Sequence, residues 1–260
     1  IARHRGDASA LLRAHGFTLQ SADDLERHVS YADFIRLLED CSATLRCPDF
    51  GLQLAQAQDL NVLGPVATIA RHSSNAADAV SATAQYLSYH TPGAAVELVS
   101  GSDEPAGFTF EVILQGLRGC RQINELSMYL GQRILELMLG EGYRAQGVHF
   151  ANARPPGPRM LQRIFGNRVE FDMPIHRFIV PEQDLARQVE PADPALRRLV
   201  AQYIDLTRQD ALLPLTDRVS RSIRTFLPSG RCSLQLVADH LGYSSRTLQR
   251  ELAIRGQRFR

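Results

Sequence analysis

The sequence predicts an α+β, mostly helical fold: an N-terminal α+β domain, then a helical connector, then a helix-turn-helix unit. Three observations carry this. Apolar residues recur at helical spacing through much of the first ninety residues. The period then shortens to strand-like runs between residues 94 and 114. Finally, Leu234 to Arg260 holds two short helical patterns broken by Leu241-Gly242-Tyr243.

Taken in order, Ser30 is placed to cap a helix from Tyr31 to Leu45, with Phe34, Leu37, Leu38, Cys41 and Leu45 on one face. Two more helices are expected over Asn61 to Arg71 and Ser74 to Tyr89. Ala94 to Val99 and Gly107 to Leu114 read as strands of a hairpin around the turn SDEPAG. Leu126, Met128, Leu130, Ile134, Leu135, Leu137 and Met138 belong to a long helix, apolar almost all round and therefore central to the core. Gln146 to Phe150, Arg168 to Phe171 and Arg177 to Val180 are short strand candidates between Pro- and Gly-rich loops. Helices are expected over Ala195 to Arg208 and from Leu215, where Leu215, Val219, Ile223, Phe226 and Leu227 form a stripe. Pro228-Ser229-Gly230 ends the second. The implied organisation is residues 1–194 as one domain, 195–230 as a connector and 231–260 as the helix-turn-helix unit.

The terminal segment carries the most chemistry. Ser233 can cap a helix in which Leu234, Val237, Ala238 and Leu241 share one face, and Ala238 is small where a second helix must come close. Gly242 can take the positive φ that ends it. Ser244 is then the N-cap of a second helix anchored by Leu248 and Leu252. On another face, Arg246, Gln249 and Arg250 stand at i, i+3 and i+4 near the helix start. Arg can meet guanine O6/N7 with two hydrogen bonds, and Gln can meet adenine N6/N7. An amphipathic hairpin with a solvated basic face has the same spacing.

Charge favours the nucleic-acid reading. The chain is formally +1, but from Arg218 onward nine arginines face only Asp239 and Glu251, giving +7 there and leaving −6 on residues 1–217. A basic end on an acidic body fits a phosphate backbone. Arg218, Arg221 and Arg224 lie off the apolar stripe of their helix, either as a solvated face or as phosphate contacts.

Enzyme signatures fail. Every one of the 29 basic side chains is Arg, so no lysine can serve a Walker-type phosphate site or a Schiff base. Gly140-Glu141-Gly142-Tyr143-Arg144-Ala145 follows a helix rather than a strand, which reads as a helix-ending turn and not a dinucleotide fingerprint. No HExxH or GxSxG occurs, and no cofactor is expected. Cys41, Cys47, Cys120 and Cys232 lack metal-ligand spacing, and in a reducing compartment they read as buried or spare thiols. No apolar run approaches the roughly 20 residues that span a bilayer, and a cytoplasmic protein is expected.

LVADHLGYSSRTLQRELAIRGQRF resembles the first helix-turn-helix of the AraC/XylS family of bacterial transcription regulators, at Ala238, Leu241-Gly242, Ser244, Arg246 to Arg250, Leu252, Gly256 and Phe259. Ala153 to Val200 and Leu63 to Thr91 are similar to the arabinose-binding-domain-like sensor of one branch. The family pairs two helix-turn-helix units, and this chain stops where the helix joining them should begin; a fragment is therefore expected. The resemblance implies an effector-sensing domain over 1–194, homodimerisation, double-stranded promoter DNA as partner and a small-molecule effector. An interior with few convergent polar groups suits an apolar or amphiphilic effector. Tyr86, Tyr89, His90 and Arg177 are candidate polar anchors, with structural roles for all four the competing account. The expected DNA-contacting residues are Arg246, Gln249 and Arg250 at bases, with Ser244 and Ser245 holding the backbone. The alternative is a ligand-binding or protein-interaction module whose helix-turn-helix does not read DNA.

Overall fold

The computed structural model describes residues 6–17, 29–101, 104–117, 119–155, 159–166, 168–189, 193–227, 232–241 and 243–259. The fold is α+β. The chain divides after Gln202 into two compact units, and the second runs from Tyr203 to the end.

The first unit opens with α1 (Ala8–Ala14), α2 (Tyr31–Thr44), α3 (Phe50–Gln56), α4 (Pro65–Arg71) and α5 (Ala76–His90). Ser30 caps α2 as expected, accepting from Asp33 N at 3.3 Å. Ile35 joins Leu37, Leu38 and Cys41 in the buried face, while Phe34 and Leu45 are only half-buried. The single helix expected over Asn61 to Arg71 is instead two pieces. A 3-10 turn over Leu60–Leu63 ends at Gly64 with φ +56°, and α4 starts afresh at Pro65, whose missing N–H and fixed φ suit a first helical position. Asn75 caps α5 by accepting from Asp78 N at 2.8 Å, so that helix begins two residues later than expected.

The sheet comprises β1 (Ala94–Val99), β2 (Gly107–Val112), β3 (Gly147–His149), β4 (Val169–Glu170) and β5 (His176–Ile179), in the order β1-β2-β5-β3-β4. The predicted hairpin is present, with Ala94 opposite Val112 and Val99 opposite Gly107. All neighbours are antiparallel except β3 and β4. Between and after the strands lie α6 (Arg121–Leu139), α7 (Arg159–Phe165) and α8 (Glu182–Leu185). Phe108 and Phe178 stack across β2 and β5 at 4.7 Å between centroids, and Phe150 meets Phe165 edge-on at 5.4 Å. Such pairs add directional stabilisation to plain burial.

The long helix α6 is central, but it is not apolar all round. Gln122, Asn124, Glu125 and Gln132 are buried on it. Gln122 joins three helices: its N–H donates to Glu39 Oε1 of α2 at 2.8 Å, its Oε1 accepts from Gly51 N of α3 at 2.7 Å, and its Nε2 donates to the Pro48 carbonyl at 3.0 Å. Glu39 thereby serves one of the unpaired N–H groups at the start of α6, where Cys120 offers no side-chain cap. Neighbouring Asp40 turns away to His15 at 2.8 Å, as adjacent helical side chains do. At the far end, Gly140 (φ +108°) and Gly142 (φ +79°) make the helix-ending turn expected there.

The second unit contains the end of α9 (Pro194–Leu212), then α10 (Leu215–Phe226), α11 (Leu234–His240) and α12 (Ser245–Ile254). Leu215 and Val219 of α10 share one buried cluster with Val237, Ala238 and Leu241 and with Leu248 and Leu252 of α12. Ile223, Cys232, Leu234, Tyr243 and Phe259 pack around it. The second connector helix is thus built into the core of the helix-turn-helix. The predicted breaker at 228–230, the Gly242 turn, and Arg231 and Arg260 lie outside the described residues.

Candidate nucleic-acid interface

The candidate interface lies on α12, whose start is defined by Ser244. That residue is extended (φ −72°, ψ 150°) and its Oγ accepts from Thr247 N at 3.1 Å, while the two hydroxyls of Ser244 and Thr247 lie 2.8 Å apart. Ser233 caps α11 in the same way, with Leu236 N donating to its Oγ at 3.1 Å. Both short helices therefore begin at a serine with a satisfied first turn. α12 is then held from inside. Leu248 and Leu252 are buried against Val237 and Ala238, and the absence of a larger side chain at 238 allows this close packing.

Fixing the inner face determines the outer one. Arg246, Gln249 and Arg250 are all exposed, and the Arg250 side chain is 70% accessible. The i, i+3, i+4 spacing brings them onto one surface. Arg250 Nη2 lies 3.7 Å from Glu251 Oε1, a loose pairing on an open surface. Glu251 is held more closely by Arg255, whose Nη1 approaches its carboxylate at 2.8 Å and its carbonyl at 2.7 Å. That guanidinium holds the Glu251 carboxyl below its ordinary range. Two long guanidinium side chains and a carboxamide on one exposed helix face offer hydrogen-bonding groups of the kinds that can pair with base edges.

Ser245 departs from a simple surface role. The residue is half-buried, and its hydroxyl donates to Gln235 Oε1 of α11 at 2.5 Å. Nothing in the local sequence singles out Gln235, because a separation of ten residues from Ser245 brings no contact until the two helices pack together. Of the arginines on α10, Arg221 and Arg224 are exposed. Arg218 is half-buried, and its Nε is buried without a hydrogen-bond partner.

In the first unit, two of the candidate polar anchors, Arg177 and Tyr86, are engaged within the fold. Arg177 is buried, ion-paired to Glu104 at 2.7 Å and bonded to the Pro105 carbonyl, which ties the β1–β2 hairpin loop to β5. Tyr86 is buried, with its hydroxyl 3.1 Å from Gln85 Nε2. His176 is the buried histidine of the sheet. Its Nδ1 accepts from Ala151 N at 3.2 Å among Phe110 and Phe150, and burial pushes its pKa down to about 4. Burial pushes the Cys47 thiol up to about 11 and the Cys41 and Cys120 thiols up as well, so these are not poised nucleophiles. An open groove of about 570 Å³ is lined by Glu104, Pro105, Gln146, Ile179, Val180 and Glu182. No helix among the described residues is long and apolar enough to cross a membrane.

Residues 6–189, the greater part of the chain, match the family described as the arabinose-binding domain of AraC transcription regulators, N-terminal. The chain belongs to the AraC family of transcription regulators. Over 231 residues it is 35% identical to the HTH-type transcriptional regulator VirS of Mycobacterium tuberculosis, an alignment spanning 88% of this chain and 68% of VirS. It is 25% identical over 269 aligned positions to the ornithine utilization regulator of Pseudomonas aeruginosa, across 98% of this chain and 76% of that protein. The crystal structure of the transcriptional regulator CdpR from Pseudomonas aeruginosa shares the fold, with a TM-score of 0.53 at 15% identity, over 96% of this chain and 79% of that one. The two sequence relatives are named as regulators, and the arabinose-binding-domain match covers residues 6–189.

Proposed function

We propose that this protein is a one-component transcription regulator. Its C-terminal unit reads double-stranded promoter DNA, and its N-terminal unit senses a small-molecule effector. The observation that carries the DNA reading is the outer face of α12: Arg246, Gln249 and Arg250 project together from a helix whose cap and inner leucines are fixed. In this reading Arg246, Gln249 and Arg250 contact base edges, while Ser244 and Ser245 lie at the helix start nearest the phosphates. Family membership supports both halves.

Effector binding acts by favouring one of two states of the protein that differ in DNA affinity. An apolar or amphiphilic effector is part of the proposal. So are a cytoplasmic location and a homodimer, the latter read out by sedimentation and by paired half-sites in the operator.

Binding to the DNA segment upstream of the protein's own gene tests the reading. Affinity should fall steeply as salt rises, and Gln249→Ala or Arg250→Ala should cost about 1–3 kcal/mol, concentrated at one base position each. Loss spread evenly over all sequences would reduce α12 to a backbone contact. No salt-dependent binding by the intact protein would leave a protein-interaction role for the helix-turn-helix.

A further inference from the structure

Apolar packing between α11 and α12 sets how close the helices lie and which face of α12 turns outward, but it is non-directional and leaves the fine adjustment of their relative rotation to directional contacts. α11 has seven residues, under two turns, so few side chains are available to fix that rotation. The Ser245 hydroxyl supplies a direction, donating to Gln235 Oε1 at 2.5 Å from the first residue of α12 to the second residue of α11. Arg246 follows Ser245 immediately, and Gln249 lies one turn further on. The bond therefore sits at the point from which base-reading side chains project.

We propose that Gln235 is a positioning residue for base readout, acting through Ser245. It sets the rotation of α12 so that Arg246 and Gln249 meet base edges rather than phosphates. This rests on the DNA-reading function proposed above. Side chains that recognise by geometry need supporting hydrogen bonds to hold that geometry, and a half-exposed helix start is where support is otherwise weakest.

The test uses the full chain and a duplex that the unaltered protein selects from a random-sequence pool. That duplex is resynthesised with each base pair changed in turn. Affinities are measured by anisotropy for the unaltered protein, Gln235→Ala, Ser245→Ala and the double variant, with active fraction fixed by stoichiometric titration and folding by thermal melting. Gln235→Ala should weaken the selected duplex about fivefold, the effect of one lost hydrogen bond. It should also shrink the preference over substituted duplexes at the positions read by Arg246 and Gln249. The double variant should bind no more weakly than Ser245→Ala. Gln235→Glu, which keeps an acceptor at the same place, should retain the preference.

A loss of affinity with the preference intact would mean a merely structural role and overturns the inference, as do losses that add in the double variant. If a duplex is selected and Gln235→Ala behaves like the unaltered protein, the positioning role alone fails. If no duplex is enriched at all, the DNA-reading function fails and takes this inference with it.

Discussion

At the residue scale, His176 and Ser244 each carry a measurable consequence. His176 is buried neutral, with its pKa lowered to about 4 from an ordinary value near 6.5. A depressed histidine contributes full stability above its unfolded pKa, and that contribution is lost as pH falls from about 6.5 toward 4. At pH 5 the loss is about 2 kcal/mol. Melting temperature between pH 7 and pH 5 should drop more in the unaltered protein than in His176→Gln, which keeps an acceptor for Ala151 N but cannot be protonated. Equal slopes would show that His176 is accessible to the proton in the native state. Glu125 acts in the opposite sense. Burial raises its carboxyl despite Arg121 at 2.7 Å, so its contribution improves as pH falls toward its ordinary range, and the paired variants isolate the histidine. Ser244→Ala removes the cap of α12 and should cost about 1 kcal/mol, seen as a lower midpoint of chemical unfolding for the second unit.

Elements differ in how plainly the chain announces them. The hairpin of β1 and β2, the helices α2, α5, α6 and α10, and the serine caps at 30, 233 and 244 were legible because they depend on local periodicity and turn chemistry. The short helices α1, α3, α7 and α8 were not, since four to seven residues barely complete a period. Equally short, α11 was legible because a serine cap and a paired second helix mark it. The polar row on α6 was hidden for another reason. Gln122 is satisfied by Gly51, Pro48 and Glu39, partners that only the tertiary fold assembles. That junction makes its own prediction. A Cβ on Gly51 would lie 2.1 Å from the Gln122 carbonyl oxygen, so Gly51→Ala must push α3 off α6. The cost should be about 1–3 kcal/mol by denaturant unfolding, and a neutral result would mean the helices are further apart than described here. In the second unit, Leu248→Ala should cost about 2–5 kcal/mol, because Leu248 is fully buried among Val237, Ala238 and Leu252.

For the whole molecule, the candidate site was more legible than the interior of the first unit. Arg246, Gln249 and Arg250 could be assigned to one outward face from spacing alone, and their exposure agrees. Gln235 could not, because its relation to Ser245 exists only once the turn between α11 and α12 has formed. Tyr86 and Arg177, candidate anchors for an effector, turn out to be engaged in packing and in tying the hairpin loop to the sheet. Charge works at this scale too: +7 over residues 218–260 against −6 over the rest predicts a DNA affinity dominated by phosphate neutralisation. The most direct measurement is therefore a salt series of dissociation constants for the intact protein on a selected duplex, run beside Arg250→Ala on that duplex and its single-base variants. The unaltered protein should show log affinity falling linearly with log salt, and Arg250→Ala should flatten the preference at one base pair. Affinity indifferent to salt, or an Arg250→Ala protein that still discriminates every base pair as before, would contradict a DNA-reading α12.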